Sequence, residues 1–311
     1  MKARFLLRLR DATLAAAAGL AVSACSGSAP PPTLNVAPVA APATTGTQPT
    51  DHAATGGAHA GKPGDPAAPM ASSTVDTVGT FGAGKPVSIT LHVVDMMSGK
   101  PMGAEDFAIA HTEKVHVLGL DPGLTDYSHS HPIESGKPGD WSFQFTPKFD
   151  RPYHLWLDVT PIGGSQQFVM LTVNEKAKAV PVERKRSMTA AVGDVSATLR
   201  FDAPLTAGQA AMGHLAMTRN GKPFEALEPV MGAYGHIVAI SDDWTSIAHV
   251  HPMGTEPTRD SDRGGPTIDF HLEPSRAGFL KIFAQVRVDG QDVFLPFGTI
   301  VTALGHEAQA P

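Results

Sequence analysis

From about residue 85 the chain runs as short stretches in which apolar and polar side chains alternate, separated by Gly/Pro turns. Ile89, Leu91 and Val93 alternate with Thr90 and His92, and Trp141, Phe143 and Phe145 alternate with Ser142 and Gln144. Tyr153, Leu155, Leu157 and Val159 alternate with His154, Trp156 and Asp158. Val195, Ala197, Leu199 and Phe201 form a later run, and Ile268, Phe270 and Leu272 another. A period of two predicts strands with one buried face. Gly-Lys-Pro recurs at 61–63, 84–86, 99–101, 136–138 and 221–223, mostly where a turn is wanted. No run in this region carries the 3.6-residue period of a helix, so the predicted class is all-β.

The pattern is written twice. Lys114-Val-His-Val-Leu-Gly-Leu leads to Tyr127-Ser-His-Ser-His-Pro, and Gly235-His-Ile-Val-Ala-Ile leads to Ile247-Ala-His-Val-His-Pro. At one constant offset His116 recurs as His236, His129 as His249, His131 as His251 and Pro132 as Pro252, so both copies read H-x12-H-x-H-P. Upstream, Ser98-Gly-Lys-Pro-Met matches Asn220-Gly-Lys-Pro-Phe; downstream, Tyr153-His-Leu-Trp-Leu-Asp-Val matches Leu280-Lys-Ile-Phe-Ala-Gln-Val. Such a repeat predicts two tandem β-sandwich domains, 85–180 and 188–304, joined by the basic linker Glu183-Arg-Lys-Arg.

The remainder of the chain changes the picture at its start. Residues 1–25 carry Lys2, Arg4, Arg8 and Arg10, then the short apolar stretch Ala12 to Val22, then Val22-Ser23-Ala24-Cys25. The stretch is too short to span a bilayer and reads as a signal segment. Its end resembles a bacterial lipobox, which implies lipidation of Cys25, the sole cysteine. With Ser26 following, resemblance to Gram-negative lipoproteins implies an envelope protein anchored through lipid at the periplasmic face of the outer membrane. Residues 26–84 are rich in Ala, Pro, Thr and Gly and poor in large apolar side chains, which predicts a disordered tether.

Composition then narrows the function. Among 311 residues the formal net charge is -6, with no clustered Lys/Arg footprint, so no nucleic-acid partner is expected. One cysteine excludes an internal disulfide framework and every cysteine-based metal cage. Fourteen histidines and eleven methionines remain as soft and borderline donors.

The repeated unit resembles the immunoglobulin-like β-sandwich modules of bacterial envelope proteins in the YtkA-like group. His111-Thr-Glu-Lys-Val-His is similar to that group's H-x-K-x-H phrase with a spacing one residue longer, and Met231-Gly-Ala-Tyr-Gly-His matches its L-G-x-x-G-H phrase with Met231 in place of leucine. The resemblance covers most of residues 88–302 and implies an immunoglobulin-like sandwich in the cell envelope. The group's members often sit beside heavy-metal transport genes.

The repeated histidines are the candidate chemistry. Side chains at i and i+2 of a strand share a face, so His129 points with His131 and His249 with His251. An antiparallel hairpin would bring His116 opposite 129 or 131, and His236 into the same relation with its own pair. Three converging imidazoles suit zinc or copper with an open fourth position. This reading predicts one site per sandwich: His116, His129 and His131, and His236, His249 and His251. His111, Met231 and Met253 are possible additional donors, and the two methionines lean the second site toward Cu(I).

The rival reading keeps the same residues without a metal. His116 shares its strand face with Leu118 and Leu120, and His236 with Val238 and Ile240. Buried neutral histidines interlocked by hydrogen bonds would pin the hairpins, and an edge strand would dock a protein partner in the envelope. No carboxylate partner for the histidines is evident in the sequence. Asp121, Asp242 and Asp243 fall in the hairpin connections, where aspartate's turn preference explains them. Catalysis finds no motif: there is no G-x-S-x-G elbow, no His-Glu-x-x-His and no phosphate-binding glycine loop. The expectation is a non-enzymatic binding module.

Overall fold

A computed structural model describes residues 69–110, 112–250 and 252–305. The signal segment, Cys25 and the tether up to residue 68 lie outside the described residues, as do His111 and His251. The first repeat contributes β1 (Ala71–Val78), β2 (Val87–Asp95), β3 (Val115–Leu120), β4 (Tyr127–Ser130), β5 (Ile133–Glu134), β6 (Asp140–Phe145), β7 (Tyr153–Val159) and β8 (Gln167–Val173). The second contributes β9 (Thr189–Val192), β10 (Val195–Phe201), β11 (Ala211–Arg219), β12 (Lys222–Pro223), β13 (His236–Ser241), β14 (Ile247–Val250), β15 (Thr267–Leu272), β16 (Gly278–Val288) and β17 (Gln291–Val301).

These strands form two tandem β-sandwiches. In the first, the sheet β1-β2-β6-β5 faces the sheet β4-β3-β7-β8. In the second, β12-β11-β10-β9, with β15 paired to β11, faces β14-β13-β16-β17. Ile89, Leu91 and Val93 of one sheet meet Val115, Val117, Leu155 and Leu157 of the other in the first core. Leu199, Leu215 and Phe270 meet Ile237, Ile282 and Leu295 in the second.

The sandwiches are not separate beads. A third apolar cluster joins Leu118, Leu120, Tyr127 and Trp156 of the first to Val238, Ile240, Phe279 and Phe283 of the second. The sheets β4-β3-β7-β8 and β14-β13-β16-β17 therefore pack against each other as well as on their own partners, giving four layers. Strand β3 shows the consequence: Val115 and Val117 enter the first core, whereas His116, Leu118 and Leu120 turn to the other sandwich, and all six residues are buried. The expectation of one buried face per strand fails here. The polar-looking alternates of β7, His154, Trp156 and Asp158, belong to the inter-sandwich face.

The packing is that of an approximate two-fold axis, in which equivalent patches meet reciprocally. Thr112 and Gly232 occupy equivalent repeat positions and touch: a Cβ on Gly232, whose φ is 78°, would lie 2.3 Å from the Thr112 methyl. Glycine is required there by both the backbone conformation and the close approach. The linker is held down on both sides. Glu183 donates its backbone N–H to the Gly123 carbonyl (3.2 Å), Arg184 pairs with Asp242, and Ser187 exchanges backbone bonds with Gly298.

One boundary needs correction. Strand β1 lies inside the stretch expected to be tether through residue 84, and it pairs along its length with β2. Its sequence Ala-Ser-Ser-Thr-Val-Asp-Thr-Val buries only Ala71 fully, so its low apolar content hid an edge strand that pairing with β2 stabilises.

Candidate functional site

The two hairpins place the histidines. In β3–β4 the register sets Leu118 opposite His129 and Val117 opposite Ser130, so His116 stands diagonal to His129 and next to His131. In β13–β14 Val238 lies opposite His249, repeating the arrangement. Both hairpins turn this face toward the inter-sandwich seam. The imidazoles of the two copies meet in a single cluster. The His129 ring lies 5.4 Å from His116, 5.2 Å from His131, 5.4 Å from His236 and 4.9 Å from His249, centroid to centroid. The ligand nitrogens of His116, His129 and His249, drawn from both sandwiches, lie within 4.8 Å of one another.

The hydrogen bonds fix the tautomers. His116 Nε2–H donates to the Ala110 carbonyl (2.8 Å), and His236 Nε2–H donates to the Val230 carbonyl (2.9 Å). Across the seam His249 Nδ1–H donates to the Asp158 carboxylate (2.9 Å), and His129 Nδ1–H donates to Gln285 Oε1 (3.1 Å). Asp158 and Gln285 are themselves equivalent positions of the repeat, opposite His116 and His236 in register, so this exchange also obeys the two-fold. The Gln285 amide is oriented by its NH2, which donates to Asp292 Oδ2 (3.0 Å), and Asp158 also accepts from Gln166 Nε2 (2.8 Å).

These assignments leave a conflict. With Nε2 of His116 and Nδ1 of His129 carrying the protons, the lone pairs of His116 Nδ1 and His129 Nε2 face each other at 3.2 Å. Two neutral imidazoles gain nothing from that contact; a shared cation between them does. Two nitrogens bound tetrahedrally to one ion at metal–nitrogen distances of 2.0–2.1 Å stand about 3.3 Å apart. On the His129 side a proton is a poor candidate for that shared cation. Burial, followed by the neighbouring histidines, holds His129 well below the ordinary imidazole value. Burial lowers His131 to about 4 and His249 to about 3, with His116 adding to both shifts. His129, His131 and His249 are thus neutral at neutral pH.

His131 completes the first copy's trio. Its ring meets His116 edge-on at 4.6 Å, and its buried Nε2 has no hydrogen-bond partner among the described residues. Of the additional donors, Met253 is 44% exposed, and Met231 sits with φ 51° in the turn beside the Val230 carbonyl. Met102 and Met217 fill the sandwich cores. Sequence reasoning missed Asp158 and Gln285. The signal was present: both stand at one position of the repeat, and only the docking of the sandwiches reveals that they face the other copy's histidine.

A second repeated arrangement was also missed. On the sheets away from the seam, His92 bonds Asp140 (2.7 Å) and Asp76 (3.1 Å), and His214 bonds Asp269 (2.7 Å) and Asp202 (3.0 Å). Carboxylates on both ring nitrogens make these imidazolium clips between strands rather than metal ligands, and the bonds to Asp140 and Asp269 raise the two histidines above the ordinary value.

Fold and site together define a class: a tandem β-sandwich chain with a histidine cluster buried in the seam between its repeats. The family described as domain of unknown function DUF8832 matches twice, over residues 70–177 and 190–303, and the chain belongs to that family. No curated protein matches it. Among solved structures, a point mutant of Salmonella alpha-2-macroglobulin is similar over 74% of this chain at 10% identity and a TM-score of 0.24, and the chain spans 16% of that structure's length.

Proposed function

We propose that the chain is a non-enzymatic transition-metal-binding module whose site is composite, one ion being held between the sandwiches by His116, His129 and His249. The observation that carries this reading is the 3.2 Å contact between two ring nitrogens whose protons are committed elsewhere. Three imidazole ligands select a borderline ion, zinc or copper, over calcium or magnesium. The Asp158 carboxylate on His249 supplies the outer support that a ligating histidine ordinarily has, and offsets part of the ion's charge in a buried setting.

The test is metal content and affinity of the chain titrated with Zn(II) and Cu(II) against a competing chelator. One equivalent per chain is expected. His249→Ala alone, and His129→Ala alone, should each abolish it, since the ligands come from both repeats. Two equivalents, with one surviving His249→Ala, would restore independent sites.

A structural reading is favoured by a different observation: four histidines carry hydrogen bonds that tie loops and strands, to Ala110, Val230, Asp158 and Gln285. Under it the alanine variants lose melting temperature equally with and without metal, and no ion binds tightly.

The N-terminal lipobox supports a location at the envelope, anchored by lipid on Cys25, and the likeness to YtkA-like envelope modules agrees with it. Cys25→Ala should release the protein from the membrane fraction; unchanged membrane association would overturn the anchor.

A further inference from the structure

Away from the histidines, the linker crosses a cavity of about 380 Å³ lined by Lys281 of β16, Phe297 of β17, Thr125 from the first sandwich, and Glu183, Lys185 and Ser187 of the linker itself. Lys281 is the unusual member. It is only 7% exposed, yet its ammonium makes no hydrogen bond or ion pair among the described residues; it lies over the Phe283 ring, 5.3 Å from its centre. Its ammonium carries three donors, which open onto the cavity. The carboxylates of its neighbourhood do not serve. Asp121 is taken up by Arg151 (2.7 Å) and by the backbone of its own turn, and Glu183 is exposed and forms no ion pair with Lys281.

The repeat shows what the other half does at this position. In register Lys281 stands opposite Ile240 as His154 stands opposite Leu120, so the two are equivalent. His154 is covered by the Trp244 ring at 4.6 Å, and Trp244 in turn stacks on Trp156. The residue equivalent to Trp244 is Leu124, in the same left-handed conformation (φ 59° against 64°). Leucine has no ring to lay over Lys281, and the lysine lines a cavity instead.

We infer that this cavity is a binding site for a small organic or inorganic anion, whose carboxylate or phosphate oxygens accept from Lys281 and Lys185 while Phe297 walls its apolar part. The two ammonium groups outweigh the one Glu183 carboxylate that lines the cavity, so an anion is favoured over a cation or a neutral ligand. The site is independent of the histidine cluster.

The experiment is a calorimetric titration of the metal-stripped chain with acetate and with inorganic phosphate at constant ionic strength, chloride serving as control. Saturable binding of one equivalent of one of the two anions is expected, and the pair of arms tells a carboxylate from a phosphate site. Lys281→Met, which keeps the length of the side chain, should weaken it at least tenfold, about 1.4 kcal/mol. Glu183→Gln, on the exposed linker, should tighten it severalfold by removing the competing carboxylate. This second variant decides the matter if Lys281→Met does not fold. Absence of saturable binding, or equal affinity in wild type and Glu183→Gln, would mean that water alone satisfies Lys281 and would overturn the site.

Discussion

At the scale of the residue, the two kinds of repeated histidine oppose each other in their response to acid. His129, His131 and His249 are held below the ordinary imidazole value by burial. Below about pH 6.5 the unfolded chain takes up protons that the folded chain refuses, so stability falls as pH drops from 6.5 toward the folded values near 4 and 3. His92 and His214 are raised by their carboxylates, so their contribution is fully present below the unfolded value and is lost as pH rises through the folded one. The clips are partly or fully solvated, and screening makes their effect the smaller. Denaturant midpoints should therefore fall steeply between pH 6.5 and 4.5, and His131→Gln should flatten that slope; a midpoint that rises on acidification would contradict the assignment.

At the scale of the element, strands β3 and β13 are short, wholly buried and unable to face water on either side. The apolar face that they and their neighbours present across the seam is as much a core as either sandwich interior. Truncating Phe283, which stacks on Tyr127 at 4.9 Å, should cost about 3–5 kcal/mol as Phe283→Ala, in the range of an ordinary core phenylalanine. A loss below about 1 kcal/mol in urea unfolding would show that the seam opens freely. Gly232→Ala tests the axis itself: the added methyl meets Thr112, and the left-handed backbone disfavours it independently. Its expected signature is loss of stability together with loss of metal binding, because the two halves of the site lie across that contact.

At the scale of the whole molecule, the shared seam makes the sandwiches one cooperative unit. Calorimetry of the chain should give a single unfolding transition with matching calorimetric and van't Hoff enthalpies, whereas two resolved transitions would show independent domains. The first sandwich expressed alone would expose Leu118, Leu120, Tyr127 and Trp156, and it should self-associate or aggregate rather than persist as a stable monomer.

Much of this was legible along the chain. Alternation with a period of two marks β2, β6, β7 and β10, and the doubled H-x12-H-x-H-P marks the two repeats, because strand pleating and hairpin register are local consequences of residue order. Strand β1 was not legible, since Ser, Thr and Asp at an edge look like linker until a partner strand is present. The site was legible only in its parts. Local pattern can say that His116 and His236 lie on an apolar face, but not against what: a strand with two buried faces looks, residue by residue, like a strand with one buried face and some exceptions. Sequence by itself determined the fold class, the duplication and the histidines. Tertiary structure alone decided that the two copies dock face to face, that Asp158 and Gln285 reach across to each other's hairpin, and that the described histidines of both copies meet in one cluster. The physical reason is that this seam is made by residues far apart in the chain, whose meeting is dictated by burial of the Leu118–Phe283 cluster and by no pattern within either repeat.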